Sequence, residues 1–190
     1  MNNKEIEIQV RVGNVGKLEA FLKNKAKFSG EKYQKDEYYS PIHRNFLDKK
    51  PVSEWLRLRE SDSDAITYKK YHYDENGKSK YCDEYETDIK KVDQLRQILA
   101  ALDIKPIVIV EKTRKNWDYK DYEVAIDKVT DLGDFVEVEY KGSDESAGPM
   151  AIAQGMIDFL KEVGCTDIER NFVGYPFMLL YPDDQVFEKV

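Results

Sequence analysis

Pairs of charged residues recur one residue apart along this chain. Glu5 and Glu7 flank Ile6, Arg57 and Arg59 flank Leu58, and Glu84 and Glu86 flank Tyr85. Lys112 and Arg114 flank Thr113; Glu137 and Glu139 flank Val138, with Lys141 next in step. Successive side chains of an extended strand point to opposite faces, so each pair shares one face. The N-terminal run shows the pattern without a break: Ile6, Ile8, Val10 and Val12 on one face, Glu5, Glu7, Gln9 and Arg11 on the other. If these strands belong to one sheet, their charged faces meet. Carboxylates suit a hard divalent cation, and arginine forks and lysines suit phosphate oxygens. The pattern therefore points to a metal ion plus a polyanion such as a triphosphate. Like-charge pairs such as Arg57/Arg59 gain nothing on a bare surface; they gain when a polyanion lies between them.

The elements that would position these residues are mostly strands. Strand-like stretches lie near 4–12, 33–39, 53–60, 65–73, 79–87, 106–115, 119–126 and 133–141. Asp62-Ser63-Asp64 and Asp74-Glu75-Asn76-Gly77 separate neighbouring strands, the second with a strong hairpin signal. Asn116-Trp117-Asp118 reads as a tight turn. Helical spacing marks 15–27 (Val15, Leu18, Phe21, Leu22), 88–103 (Val92, Leu95, Ile98, Leu99, Leu102) and a segment from about 145 to Gly164 (Ile152, Met156, Ile157, Phe159, Leu160, Val163). The fold class expected is α+β, mainly antiparallel β: an eight-stranded closed tunnel or barrel with a charged interior and helices packed outside. A sheet with a charged outer face and helices on the other side explains the alternation equally well. The chain reads as one domain over 1–190, with a C-terminal helix and aromatic tail, about 145–190, packing on the barrel.

Bulk composition narrows the function. The chain has 190 residues, 41% hydrophobic and 35% charged, enough for a sizeable core. Its 37 acids against 30 bases give net charge −7. That argues against a nucleic-acid polymer as partner, but a local cluster of bases can still hold a small anion. Two cysteines, Cys82 and Cys165, have no motif spacing, and two histidines, His43 and His72, suggest no triad. The N-terminus lacks the apolar core of a signal peptide, and no apolar run is long enough to span a bilayer. A cytoplasmic location without membrane association is expected.

Taken in order, the charged strings resemble the CYTH superfamily, the triphosphate tunnel metalloenzymes, over nearly the whole chain. Glu5-Ile6-Glu7-Ile8-Gln9 stands where the family has Glu-x-Glu-x-Lys, and Asp36-Glu37-Tyr38-Tyr39 is similar to its second-strand segment. Leu56-Arg57-Leu58-Arg59 and Thr67-Tyr68-Lys69 match its Leu-Arg-x-Arg and Thr-x-Lys strands. Glu84-Tyr85-Glu86, Lys112-Thr113-Arg114, Ile126-Asp127-x-Val129 and Leu132-Gly133-x-Phe135-Val136-Glu137-Val138-Glu139 follow in family order.

The resemblance implies a tunnel that binds a nucleoside triphosphate or another triphosphate with Mg2+ or Mn2+. Glu5, Glu7 and Glu139 would hold the metal, with Asp127 and Glu137 next. Arg11, Arg57, Arg59, Lys69, Lys112 and Arg114 would hold phosphate. Arg57, Lys112, Arg114 and Asp127 would serve the reaction, and Glu84 and Glu86 would orient the bases. Tyr38, Trp55 and Tyr68 are candidates to contact a nucleobase.

The run from Asp127 to Glu139 looks most like cyclase-type members, which convert ATP to cyclic AMP and pyrophosphate. The alternatives are a triphosphatase for inorganic or thiamine triphosphate, and a non-catalytic triphosphate- or nucleotide-binding module. Gln9 replaces the family lysine, and Arg170-Asn171-Phe172 departs from the Arg-x-Ser-Tyr of cyclase-type members. Assembly is open, a homodimer included.

Overall fold

The computed structural model describes residues 4–144, 146–184 and 187–190. The alternating N-terminal run forms β1 (Lys4–Glu5) and β2 (Glu7–Arg11). Next come α1 (Val15–Lys25), β3 (Lys27–Pro41), β4 (Glu54–Glu60), β5 (Ala65–Tyr73) and β6 (Ser79–Asp88). The chain continues through α2 (Val92–Ala101), β7 (Ile104–Tyr119), β8 (Tyr122–Val129) and β9 (Gly133–Tyr140). It ends with α3 (Pro149–Val163), β10 (Glu169–Asn171), α4 (Gly174–Leu180) and β11 (Phe187–Lys189). Among the described residues, no helix is long and apolar enough to cross a membrane.

The architecture is mainly antiparallel β with a few helices, as expected. The closed eight-stranded barrel is a correction. The strands form one curled, half-barrel sheet in the order β1-β6-β5-β4-β3-β7-β8-β9-β2-β10-β11. The seam between β6 and the N-terminal run is laddered over two residues only, Lys4↔Asp83 and Glu5↔Cys82. Continuing that register would set Gln9 opposite Lys78, which lies in the β5–β6 turn. β2 pairs instead with β10, through Gln9↔Asn171, Val10↔Arg170 and Arg11↔Glu169, and β11 adds to the far edge.

Alternation decides which side each residue takes. Ile6, Ile8 and Val10 are buried beneath α1 and α3, with Leu18, Leu22, Met156, Leu160, Val136 and Val138. α3 is set by Pro149 in its first turn and by Gly164 beyond its end, where φ is 93°. α4 buries Tyr175, Phe177 and Met178 among Tyr38, Trp55, Val110 and Phe135. α2 is the thinnest cover: only Leu99 of its stripe is buried, against Tyr39 and Leu58, while Ile98 and Leu102 stay exposed.

Two local expectations fail. Asn116-Trp117-Asp118 is not a turn; β7 runs through it because Trp117 is buried in the core, and the reversal falls at Lys120, with φ of 52°. β3 begins at Lys27, well before 33, pairing β7 along its length with an irregularity between Phe28 and Gly30. The expected start of the last helix near 145 falls partly outside the described residues.

Candidate active site

The curled face encloses a cavity of about 350 Å³. Strand alternation delivers Glu5, Glu7 and Gln9 to it from one segment, and Arg57 and Arg59 from β4. Lys69, Glu84, Glu86, Lys112, Arg114, Glu137 and Glu139 line it as well. One face of the sheet thus gathers almost the whole predicted set.

On one wall the bases are matched by acids. Asp36, buried on β3, accepts from Arg59 Nε and Nη2, each at 2.7 Å. Burial opposes its ionisation, but the Arg59 bonds and the charges of Arg57 and Lys112 hold its carboxyl well below the usual range. Asp127, fully buried on β8, accepts from Arg114 Nε at 2.7 Å and Nη2 at 2.5 Å, and from Lys112 Nζ at 3.2 Å. Glu137 also accepts from Arg114 Nη2, and accepts from Gln9 Nε2 at 2.7 Å. Despite burial, Arg114 and Lys112 keep the Glu137 carboxyl low. Burial and the neighbouring Arg114 push the Lys112 ammonium down. Arg57 Nη2 donates to Thr67 at 2.9 Å and Glu86 at 3.2 Å, while its Nε, buried, has no hydrogen-bond partner among the described residues.

The other wall is acid-rich. Glu7 and Glu139 face each other across the β2–β9 ladder. Lys69 Nζ donates to Glu5 at 2.5 Å and lies 3.4 Å from Glu84 and 3.9 Å from Glu7. Lys141 pairs with Glu139 at 2.6 Å. These two cations do not neutralise the cluster. Burial first, then the Glu5 charge, pushes the carboxyls of Glu7 and Glu139 each up to about 7. Crowded, under-neutralised carboxylates fit a divalent cation. Glu5, Glu7 and Glu139 are the residues that would hold it. Asp127 and Glu137 do not fit that role here, because guanidinium and ammonium groups already occupy them. Among the described residues, no three His, Cys, Asp or Glu side chains converge as a chelating group.

Three predicted residues do not line the cavity: Asp127 sits behind Lys112 and Arg114, and Arg11 and Tyr68 lie elsewhere. Arg11 does not line the cavity; its guanidinium lies over Phe135 at 4.8 Å and Phe187 at 4.2 Å and donates to the Leu132 carbonyl at 3.2 Å. Tyr68 is off the lining and donates to Glu54 at 2.5 Å, whereas Tyr38 and Trp55 do line the cavity. Sequence reading missed Asp36, although its spacing from Tyr38 already placed both on one face. It also missed Tyr175, whose hydroxyl donates to Asp127 at 2.8 Å and which nothing local marks, and the contact of Asn171, which donates to Gln9 and which the sequence marked only as part of the departing string Arg170-Asn171-Phe172.

Known proteins resemble this chain in sequence and in fold. The family model for the CYTH domain matches residues 3–173. A Methanocaldococcus jannaschii protein provisionally named an adenylate cyclase is 32% identical over 159 residues, 83% of this chain and 87% of its own length. The PH1819 protein of Pyrococcus horikoshii superposes with a TM-score of 0.76 at 26% identity, covering 95% of this chain and 99% of that one. A provisionally named adenylyl cyclase from Hippeastrum, described as having a dominant triphosphatase activity, shares the fold (TM-score 0.66, 17% identity, 96% of this chain and 97% of that one). With its charged strand pairs gathered on one concave face and the family model matching residues 3–173, this chain belongs to the CYTH domain family.

Proposed function

We propose that the chain is a metal-dependent enzyme that binds a triphosphate in this cavity and acts as an adenylate cyclase, converting ATP to cyclic AMP and pyrophosphate. The observation that carries the triphosphate reading is the buried Arg57 Nε. Among the described residues it is a donor without a partner, on a side chain that shares the cavity with Arg59, Lys69, Lys112 and Arg114. A buried donor left unpaired is costly, and a phosphate oxygen would satisfy it. The choice of ATP draws support from the name of the Methanocaldococcus jannaschii relative.

Arg57, Arg59, Lys112 and Arg114 would bind the phosphate oxygens and spread the charge that develops as pyrophosphate leaves. Their acidic partners hold them in place before substrate arrives, so reorganisation on binding is small. A divalent cation held by Glu5, Glu7 and Glu139 would neutralise phosphate charge. Glu7 and Glu139, with carboxyls raised to about 7, would shed their remaining protons as that cation binds. In cyclisation the 3′ hydroxyl of ATP attacks the α-phosphorus, and the walls must hold the two in line.

Hydrolysis of inorganic or thiamine triphosphate is the second reading. The cavity lining is rich in charged side chains, and Tyr38 and Trp55, its candidate base contacts, pack edge-on to each other at 5.6 Å. One substrate panel tests both. Purified protein with Mg2+ or Mn2+ is incubated with ATP, inorganic triphosphate and thiamine triphosphate. Cyclic AMP with pyrophosphate is the expected outcome. Orthophosphate alone overturns the cyclase in favour of a triphosphatase, and tight binding without any product makes the chain a binding module.

A further inference from the structure

We propose that Tyr175, Asn171 and Gln9 are positioning residues that fix the Arg114 guanidinium through Asp127 and Glu137, making docked α4 part of the triphosphate site. The inference rests on the triphosphate reading above and adds to it the tail of the chain.

Arg114 is held by two carboxylates, and both are held in turn from the C-terminal segment. Arg114 grips Asp127 with two parallel bonds but Glu137 with one, and a further donor on each carboxylate fixes how both stand toward the guanidinium. The Tyr175 hydroxyl, on α4, donates to Asp127 Oδ2 at 2.8 Å, on the oxygen that Arg114 Nη2 and Lys112 also contact. Gln9 Nε2 donates to Glu137 Oε1 at 2.7 Å while Arg114 takes the other oxygen. The Gln9 amide is itself fixed, because its Oε1 accepts from Asn171 Nδ2. The Asn171 Oδ1 accepts from the backbone N–H groups of Val173 at 2.8 Å and Gly174 at 3.3 Å, where α4 begins. Two chains of hydrogen bonds therefore start at the ends of one short segment and meet at one guanidinium.

The packing makes this geometry rigid. Tyr175 is 4% exposed, and its ring meets Phe135 edge-on at 5.0 Å. Lys112 Nζ lies 5.0 Å above the same ring. An arginine has many rotamers, and fixing its fork in advance lowers the cost of engaging a phosphate. Gln9 takes on a specific meaning in this setting. A lysine there would set a further cation against Glu137 and offer Asn171 no acceptor, whereas the amide both donates and accepts.

The test is calorimetric titration of the full chain with inorganic tripolyphosphate in excess Mg2+. Tyr175→Phe removes the hydroxyl and keeps the ring; Gln9→Met removes both amide bonds and keeps the volume. Each variant should bind roughly 3- to 10-fold more weakly than wild type, with Gln9→Met, which removes two hydrogen bonds, at the upper end. In an Arg114→Lys background, where the fork is gone but the charge remains, the same changes should cost less than about twofold. A merely structural role would give equal losses in both backgrounds, and that result overturns the inference. Because the two variants report on separate arms, failure of one to fold leaves the other decisive. Wild-type binding with unchanged affinity in both variants overturns this inference alone. No binding by wild type overturns the triphosphate reading, and this inference with it.

Discussion

The two charged walls of the cavity stand on one sheet and behave differently. Around Arg57, Arg59, Lys112 and Arg114, buried acids answer the bases: Asp36 and Glu137 are held low, and Asp127 accepts from two cations and a tyrosine. Around Glu5, Glu7 and Glu139 the acids outnumber the bases, and two carboxyls rise to about 7. The first wall is nearly balanced, its one buried unpaired donor among the described residues being Arg57 Nε. The second carries a charge deficit that an added cation would correct. A charged lining is therefore not one property: similar strand chemistry leaves acids and bases nearly balanced on one wall and acids in excess on the other.

Removing one member from each wall should break the comparison in opposite directions. Arg114→Met strands the buried carboxylates of Asp127 and Glu137. It should cost about 3–5 kcal/mol of folding stability, read by urea denaturation. Arg57→Ala should cost less, because Thr67 and Glu86 remain hydrogen-bonded to each other at 2.7 Å. Its main effect should be triphosphate binding weakened by roughly 1.5–3 kcal/mol.

On the acid wall the sign reverses. Glu7 and Glu139 hold their protons more tightly folded than unfolded, since each carboxyl rises from 4.5 to about 7. Their contribution is fully present below pH 4.5 and is lost as pH rises through 7. The metal-free protein should lose roughly 2 kcal/mol between those limits from this pair, a value discounted for partial solvent access and mutual coupling. Glu7→Gln should flatten the curve and raise metal-free stability at pH 8 by about 1 kcal/mol while abolishing turnover. Denaturation at a series of pH values, with and without Mg2+, checks both.

Arg11→Ala should have the smallest effect. It removes stacking on Phe135 and Phe187, worth roughly 0.5–1 kcal/mol of stability, and leaves triphosphate binding unchanged. Weakened binding in this variant would return Arg11 to the cradle.

Most of the site was legible because strand alternation is strict. Once Arg57, Lys69, Lys112 and Glu137 were placed on strands, parity alone sent their neighbours two residues away to the same face. Parity also contradicts a base contact by Tyr68, since Thr67 and Lys69 beside it face inward. Arg11 keeps the right parity and still misses, because β2 at that point runs beyond the cavity and pairs with β10. What stayed hidden depends on contacts remote in sequence. Tyr175 meets Asp127 across 48 residues, and Asn171 meets Gln9 across 162. The seam was equally unreadable: no local signal shows that β10 replaces β6 beside β2. The misplaced turn has a tertiary cause too, since burial of Trp117 outweighed the turn chemistry of Asn116 and Asp118.

The most direct measurement is tripolyphosphate binding to the wild-type protein and to Glu7→Gln, each with and without Mg2+. If the acid wall takes a cation and the base wall takes phosphate, Mg2+ should strengthen wild-type binding by tenfold or more, roughly the worth of one well-placed ionic contact. The Glu7→Gln protein should lose most of that gain while still binding phosphate weakly through its intact base wall. Equal affinity with and without Mg2+, or an undiminished Mg2+ effect in Glu7→Gln, would contradict the division of the cavity into these two walls.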